Sequence, residues 1–406
     1  MDRMGLNIPY LGEEDKQLVM LMKEFCEREV DRQALNDLGD KPIPPDATRE
    51  DLMARMPWDL ISKAHDAELR QLTVPEEYGG GGQAENWMGL TALAEAAGYY
   101  GGQVARIFTI AWKHIGTIMY APKDVQDEVF TDFMNDRKTM CAASITEPNS
   151  GSDYLVPFDD PSTGQYFARR DGDDWILNGE KMFCTAGGVS NYIIVNGRTD
   201  KDLPITKAVT SFVVPVKTPG WSVARVNDMM GNEITANVQM RFDNVRIPDK
   251  YRVCEVNGGF DAMKSRLAGK TIHVMAAVGE TEKALEDMID YAKARVQGGK
   301  PIIEHSNVGE LIAEGDALLQ AARLMIYQDA YESMGKGEML DPKGWWYINW
   351  FTKKVLLRIV EIGFEVYGGM APQKELPFER WARMHLSIWH GGSTGILNMI
   401  KASKRL

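Results

Sequence analysis

From about Glu13 to Arg137 apolar residues recur every three or four positions. Leu18, Leu21, Met22 and Phe25 make one such stripe, and Glu27, Arg28 and Glu29 are left for water, so the segment reads as amphipathic helix. Lys41-Pro-Ile-Pro-Pro45 interrupts the pattern, and Thr73-Val-Pro-Glu-Glu-Tyr-Gly-Gly-Gly-Gly82 reads as a long glycine-rich loop. Helical spacing resumes over Ala92–Ala97 and Gln103–Tyr120. Near Met140 the texture changes to short strand patterns, Trp175–Lys181, Tyr192–Val195, Ser211–Val216 and Val238–Val245, with Gly, Asn, Asp and Pro between them. After Pro248 the helical period returns in Ala276–Arg295, Ala313–Glu332 and Trp345–Tyr367, and a last helix starts near Ile396. Ser333–Asp341, with Gly335 and Gly337, reads as a linker.

The order helices, strands, helices predicts an α+β fold with separate layers instead of alternating βαβ units. The changes of texture divide the chain into an N-terminal helical domain (1–138), a middle β domain (139–250) and a C-terminal helical bundle (251–406).

Composition narrows the field of functions. Forty-six Lys and Arg face 58 Asp and Glu, a formal charge of −12, which argues against a nucleic-acid partner because phosphate binding needs a basic face. Cys26, Cys141, Cys184 and Cys254 are scattered and form no CxxC pair, so neither a zinc site nor a disulfide framework is expected. His65, His273, His305 and His385 are too dispersed for a metal set. No signal-peptide pattern and no membrane-spanning apolar run is present, and a reduced, cytoplasmic protein is expected.

Two segments carry candidate chemistry. Ala143-Ser-Ile-Thr-Glu-Pro-Asn-Ser-Gly-Ser-Asp153 surrounds a Pro-Asn turn with small and hydroxyl residues, offering backbone N–H groups and hydroxyls to an anionic or carbonyl-rich ligand; as a lone feature it is equally a solvated turn. In Leu177-Asn-Gly-Glu-Lys-Met-Phe-Cys-Thr-Ala-Gly-Gly188, Asn178-Gly179 is a hairpin signal. Phe183 and Thr185 share a strand face by alternation, an aromatic and a hydroxyl suited to a flat heterocycle. Arg106 interrupts the apolar stretch Val104–Trp112, neighbours Thr109 and Ile110 on a helix, and reads either as an ion-paired residue or as an anion-binding fork. Lys113 and His114 lie on the next turns. Trp345, Trp346 and Trp350 read as packing.

Together, "ITEPNSGSD" and "LNGEKMFCTAGG" resemble the flavin-gripping signature of the acyl-CoA dehydrogenase family. "VPEEYGGGG", "VRIP" and "VYGGMAPQKELPFERWAR" are similar to that family in the same order, over nearly the whole chain. The resemblance implies an N-terminal helical domain, a middle β domain and a C-terminal four-helix bundle, assembled as a homotetramer, with FAD, an acyl-CoA thioester and an electron-transfer flavoprotein as partners. In that family the flavin does the redox chemistry while the protein orients it. It implies FAD contacts at Ala143, Ser144, Ile145, Thr146, Ser152, Phe183, Cys184, Thr185, Thr394 and Ile396. It implies a contact to FAD phosphate at Arg295 from a neighbouring subunit, and contacts at Glu365 and at Gly368 and Gly369, the diglycine that lets the backbone approach the cofactor. Ser152, Arg106, Arg266, Gly392 and Ser393 would face the substrate.

The chain also departs from the family. Where the usual catalytic glutamate is expected, Gly392 stands, and the alternative position near Gly269 is a glycine too. No Asp or Glu lies between Asp261 and Glu280. A positioned base accelerates proton removal by roughly 10²–10⁴-fold, and glycine supplies none. Three readings follow: an oxidoreductase with another base, His390 being nearest; a redox-neutral, desulfinase-like lyase cleaving C–S or C–C bonds of an anionic acyl-CoA; or a non-catalytic subunit of a heteromeric dehydrogenase. Gly298, Ser306 and Glu365 replace residues that meet FAD in the family and favour the third.

Overall fold

The computed structural model describes residues 11–151, 164–231, 233–260, 262, 271–334, 342–388, 399–400 and 403. Seven helices come first: α1 (Glu13–Glu29), α2 (Arg32–Asp40), α3 (Arg49–Arg55), α4 (Trp58–Asp66), α5 (Trp87–Gly101), α6 (Val104–Thr117) and α7 (Lys123–Asn135). Their starts are chemically marked. Asp31 accepts from the Ala34 N–H, Thr48 and Asp51 form a capping box, and Asn86 accepts from the Gly89 N–H.

The strands are β1 (Cys141–Ser144), β2 (Phe167–Asp171), β3 (Asp174–Cys184), β4 (Tyr192–Arg198), β5 (Val209–Pro215), β6 (Trp221–Val226) and β7 (Val238–Pro248). They form one sheet in the order β1-β4-β2-β3-β7-β6, with β5 on β4; β1 and β4 run parallel and β3 and β7 antiparallel. The four expected strands are present. β1, β2 and β6 carry no clean apolar alternation and went unread.

Two expectations about β3 are corrected. Asn178-Gly179 is not a hairpin turn: it lies inside β3 at a register shift opposite β7, with Gly179 at φ +129°. The hairpin joins β2 to β3 two residues beyond Asp171, around Gly172 at φ +64°. Glycine is required at 179 because a Cβ would stand 2.9 Å from the Tyr166 Cα. Phe183 and Thr185 do not share a strand face, because Phe183 is left-handed (φ 53°), the register shifts again between Lys181 and Cys184, and the strand stops at Cys184.

The remaining elements are α8 (Thr271–Ala294), a two-residue hairpin of β8 (Val296–Gln297) and β9 (Lys300–Pro301), α9 (Ser306–Ser333), α10 (Pro342–Tyr367) and α11 (Pro377–Ile388). The helix expected near Ile396 lies largely outside the described residues. α11 was not anticipated.

α5 is buried on nearly every side and is the helix on which the two helical regions meet. Its contact with α8 is backbone to backbone: a Cβ on Gly98 would stand 2.0 Å from the Ala276 carbonyl oxygen, and one on Gly279 would stand 2.0 Å from that of Glu95. Beside this contact lies a buried charge network. The Arg323 guanidinium on α9 donates to Glu95 of α5 and, at 2.9 Å, to Glu282 of α8, while the Tyr327 hydroxyl donates to Glu95 at 2.7 Å.

Candidate active site

The loop after β1 is shaped by a buried ion pair. Glu147 accepts from Lys181 Nζ at 2.8 Å, and the same ammonium donates to the Ile145 carbonyl at 3.1 Å. The second Glu147 oxygen accepts from the Tyr166 N–H at 2.9 Å and from that of Gln165. Met182 N–H donates to the Thr146 carbonyl at 2.8 Å. A buried pair holds its place only when its remaining atoms are also bonded, and here they are. The result is a fixed loop edge carrying Ala143, Ser144, Ile145 and Thr146, with Ser144 buried and the other three half-buried.

Across from that edge Phe183 is 54% exposed, unusual for so large an apolar side chain at the end of a packed strand. Asn237 Nδ2 donates to Thr185 Oγ1 at 3.2 Å and to the Phe183 carbonyl at 3.3 Å. Thr185 therefore accepts from Asn237 and keeps its own O–H for another acceptor. An exposed aromatic face beside a held hydroxyl fits a flat flavin ring. The Cys184 thiol is buried, donates to the Ala143 carbonyl at 3.7 Å, and is pushed up to about 12 by burial.

A polar seam runs between α6, α8 and α11. Lys113, Thr109 and Arg106 repeat at four and three residues along one face of α6. His273, Ala277 and Glu280 do the same on α8. Thr109 Oγ1 and His273 Nδ1 are 2.8 Å apart. His385 of α11 stands 3.1 Å from the Thr281 hydroxyl and 2.8 Å from the Trp381 carbonyl oxygen through its two ring nitrogens.

Burial dominates the seam's electrostatics. It lowers Lys113 to about 8, and the ammonium has no hydrogen bond or ion pair among the described residues. Burial and the nearby Lys113 charge hold His114 and His273 well below the ordinary histidine range. Burial takes His385 down to about 4 and raises Glu280 to about 7, with Arg106 pulling Glu280 the other way. Lys113 lines a small cavity with Thr73, Trp87, Trp112, Gly116 and Ile272. A lysine so placed exchanges its proton near neutral pH.

The remaining expected contacts are not gathered here. Arg295 is exposed just beyond α8, and Glu365, Gly368 and Gly369 are exposed at the end of α10. Gly368 has φ +55°, and a Cβ on either glycine would meet nothing within 4 Å, so both present bare backbone outward. Gly298 (φ +62°) and Gly299 (φ +83°) make the β8–β9 turn, which explains why no bulky residue stands at 298. Ser306 is exposed at the start of α9. Trp346 is buried and Trp350 half-buried within α10, and Trp345 lies at the start of that helix. Ser152, Arg266, His390, Gly392, Ser393, Thr394 and Ile396 lie outside the described residues. Among the described residues no group of three His, Cys, Asp or Glu could hold a metal ion, and no helix is long and apolar enough to cross a membrane.

Sequence reasoning missed Glu147, Lys181, Asn237 and Glu280. For Glu280 a signal existed, since it lies seven residues after His273, on the same helical face.

The β sheet, ending in a loop edge with an exposed aromatic, lies in sequence between a helical region and a helical bundle enclosing a polar seam, and the relatives that share this organisation place the chain in the class of flavoprotein oxidoreductases acting on CH–CH bonds. The family models named acyl-CoA dehydrogenase, N-terminal, middle and C-terminal domain match residues 12–130, 142–245 and 257–404, and the chain belongs to the acyl-CoA dehydrogenase family. It is 28% identical over 388 residues to a 3-(aryl)acrylate reductase of Clostridium sporogenes, covering 94% of this chain and 98% of that one. It is 27% identical to a short-chain-specific acyl-CoA dehydrogenase of Megasphaera elsdenii, covering 86% and 89%. The solved butyryl-CoA dehydrogenase of Megasphaera elsdenii superposes with a TM-score of 0.83 at 22% identity over 97% of this chain and 98% of that one, a likeness of fold.

Proposed function

We propose that this protein is an FAD-dependent oxidoreductase acting at the Cα–Cβ bond of an unusual acyl-CoA thioester without the usual glutamate. The observation that carries the reading is Lys113, an ammonium without an ionic partner among the described residues, beside the Thr109–His273 pair. Bound against Phe183, Thr185 and the loop edge Ala143–Thr146, FAD supplies the two-electron chemistry. Lys113 holds the proton that leaves or reaches Cα: its neutral amine accepts it in dehydrogenation, and its ammonium donates it in reduction. The relative named as a 3-(aryl)acrylate reductase favours an α,β-unsaturated acyl group and the reductive direction. The exposed Arg295, Gly368 and Gly369 support a homotetramer in which a neighbour completes the flavin site.

The test is the anaerobic visible spectrum of the purified protein, before and after saturated and unsaturated acyl-CoAs are added to its oxidised and reduced forms. Bleaching or reoxidation by one of them supports the reading, and Lys113→Met abolishes it while leaving flavin bound. Retained turnover in Lys113→Met with loss in His390→Ala moves the proton to His390. A flavin that is perturbed without bleaching points to the lyase, for which the partly unbonded Arg106 guanidinium is the anion site. A colourless protein points to a non-catalytic subunit.

A further inference from the structure

The far end of the seam holds buried polar atoms with nothing to bond. Glu280 is 7% exposed and neither carboxylate oxygen has a hydrogen-bond partner among the described residues. Arg106 Nη2, opposite it on α6, is also buried and unbonded. The two residues attract one another, as the effect of Arg106 on Glu280 requires, yet they form no ion pair. Gln103 Oε1 and Trp381 Nε1, on side chains 6% and 7% exposed, are unbonded among the described residues as well. Glu280, Gln103 and Trp381 line one cavity of about 110 Å³ with Arg32, Lys283 and Tyr367, and Arg106 lies outside its lining.

Native proteins bond more than nine in ten of their buried polar groups, and two residues away one oxygen of Glu282 receives Arg323, whereas neither oxygen of Glu280 is bonded among the described residues. The unbonded atoms of Glu280, Gln103 and Trp381 on the cavity wall, with Arg106 Nη2 near Glu280, are therefore a set waiting for a ligand. The set contains three acceptor oxygens and two N–H donors, so it asks for a group that both gives and takes a hydrogen bond. A carboxylate tail would set a second carboxyl group against Glu280 with one guanidinium between them. An apolar tail would leave every atom of the set unbonded. A hydroxyl accepts from Arg106, donates to Glu280, and leaves their charges opposed across it.

Seven residues separate His273 from Glu280, roughly 10 Å along the helix axis, the scale of a short acyl chain or of a vinyl group carrying an aryl ring. We infer that the seam between Arg106 and Glu280 selects an acyl group whose far end bears a hydroxyl. This inference rests on the acyl-thioester reading of the site.

The test is calorimetric binding to the purified protein as it is isolated, with matched thioesters: cinnamoyl-CoA against 4-hydroxycinnamoyl-CoA, hexanoyl-CoA against 6-hydroxyhexanoyl-CoA, and glutaryl-CoA. The hydroxylated member of at least one pair binds on the order of 100-fold tighter. In Glu280→Gln and Arg106→Leu that preference, read as the ratio of affinities within a pair, falls at least roughly tenfold. Equal affinities within both pairs overturn the inference. So does tighter binding of glutaryl-CoA, or a preference untouched by both variants. The wild-type ratio needs no variant to fold. Because binding is read without turnover, a protein that binds acyl-CoA without the spectral change fails the redox reading alone, and one that turns over without the hydroxyl preference fails this one alone.

Discussion

Glu280 and Glu282 stand two residues apart on α8 and both are removed from water, yet their circumstances are opposite. Glu282 faces α9, where Arg323 divides its guanidinium between it and Glu95 and Tyr327 completes the group. Glu280 faces the seam, where Arg106 is near enough to attract it and does not bond it. The first arrangement is tied by a shared cation and holds helices together. The second is open, stores unspent hydrogen-bonding capacity, and destabilises the empty protein. One helix thus serves structure on one side and recognition on the other.

Removing the hub of the cation-tied group has the largest expected effect. Arg323→Met leaves two buried carboxylates without their cation and lowers stability by about 3–5 kcal/mol, read by urea unfolding. A loss below about 1 kcal/mol would erase the distinction between the two groups.

The open group answers in the opposite sense. Burial raises Glu280 from 4.5 to about 7, so its protonated form is favoured in the folded state. That contribution is fully present below pH 4.5 and is lost as pH rises through about 7. Glu280→Gln abolishes it, so relative to pH 4.5 the variant outperforms the wild type at pH 8 by up to about 3 kcal/mol. Parallel stability-against-pH curves would place Glu280 in an environment like that of Glu282.

Lys113 gives a smaller mirror image. Its lowered pKa of about 8 means stability present above 10.5 and lost as pH falls through 8. Relative to pH 10.5, Lys113→Met therefore gains on the wild type at pH 6 by about 1–2 kcal/mol once water at the half-buried side chain is allowed for. Thermal unfolding at pH 6 and pH 10.5 reads the difference. The smallest change belongs to a neutral contact outside both groups. Asn237→Leu costs about 1 kcal/mol of stability in denaturant melts while shifting the bound flavin's absorption, because Thr185 loses its partner.

The helix–sheet–helix order was legible because period 3.6 and period 2 differ over long stretches, and the loop edge was legible because its hydroxyl and glycine residues are contiguous. What the sequence hid is non-local or conformational. Lys181 and Glu147 are 34 residues apart and meet only when β3 passes under the loop. The alternation that puts Phe183 and Thr185 on one face fails because a left-handed residue resets it, and nothing in the composition around Phe183 announces that. Glu280 served only to mark the end of a carboxylate-free stretch, although its seven-residue spacing from His273 was available. Arg106 and Lys113 were visible as charges in apolar surroundings, but their lack of partners is a property of the packed helices.

The two glycine contacts between α5 and α8 have a mechanical consequence. With Gly98 seated on one helix's carbonyl and Gly279 on the other's, the pair can neither approach further nor rotate without collision, so together they behave as a single beam. Any widening of the polar seam falls to the helices opposite, α6 and α11. Selection for a bulkier substrate would accordingly leave its mark on those two helices and spare the beam.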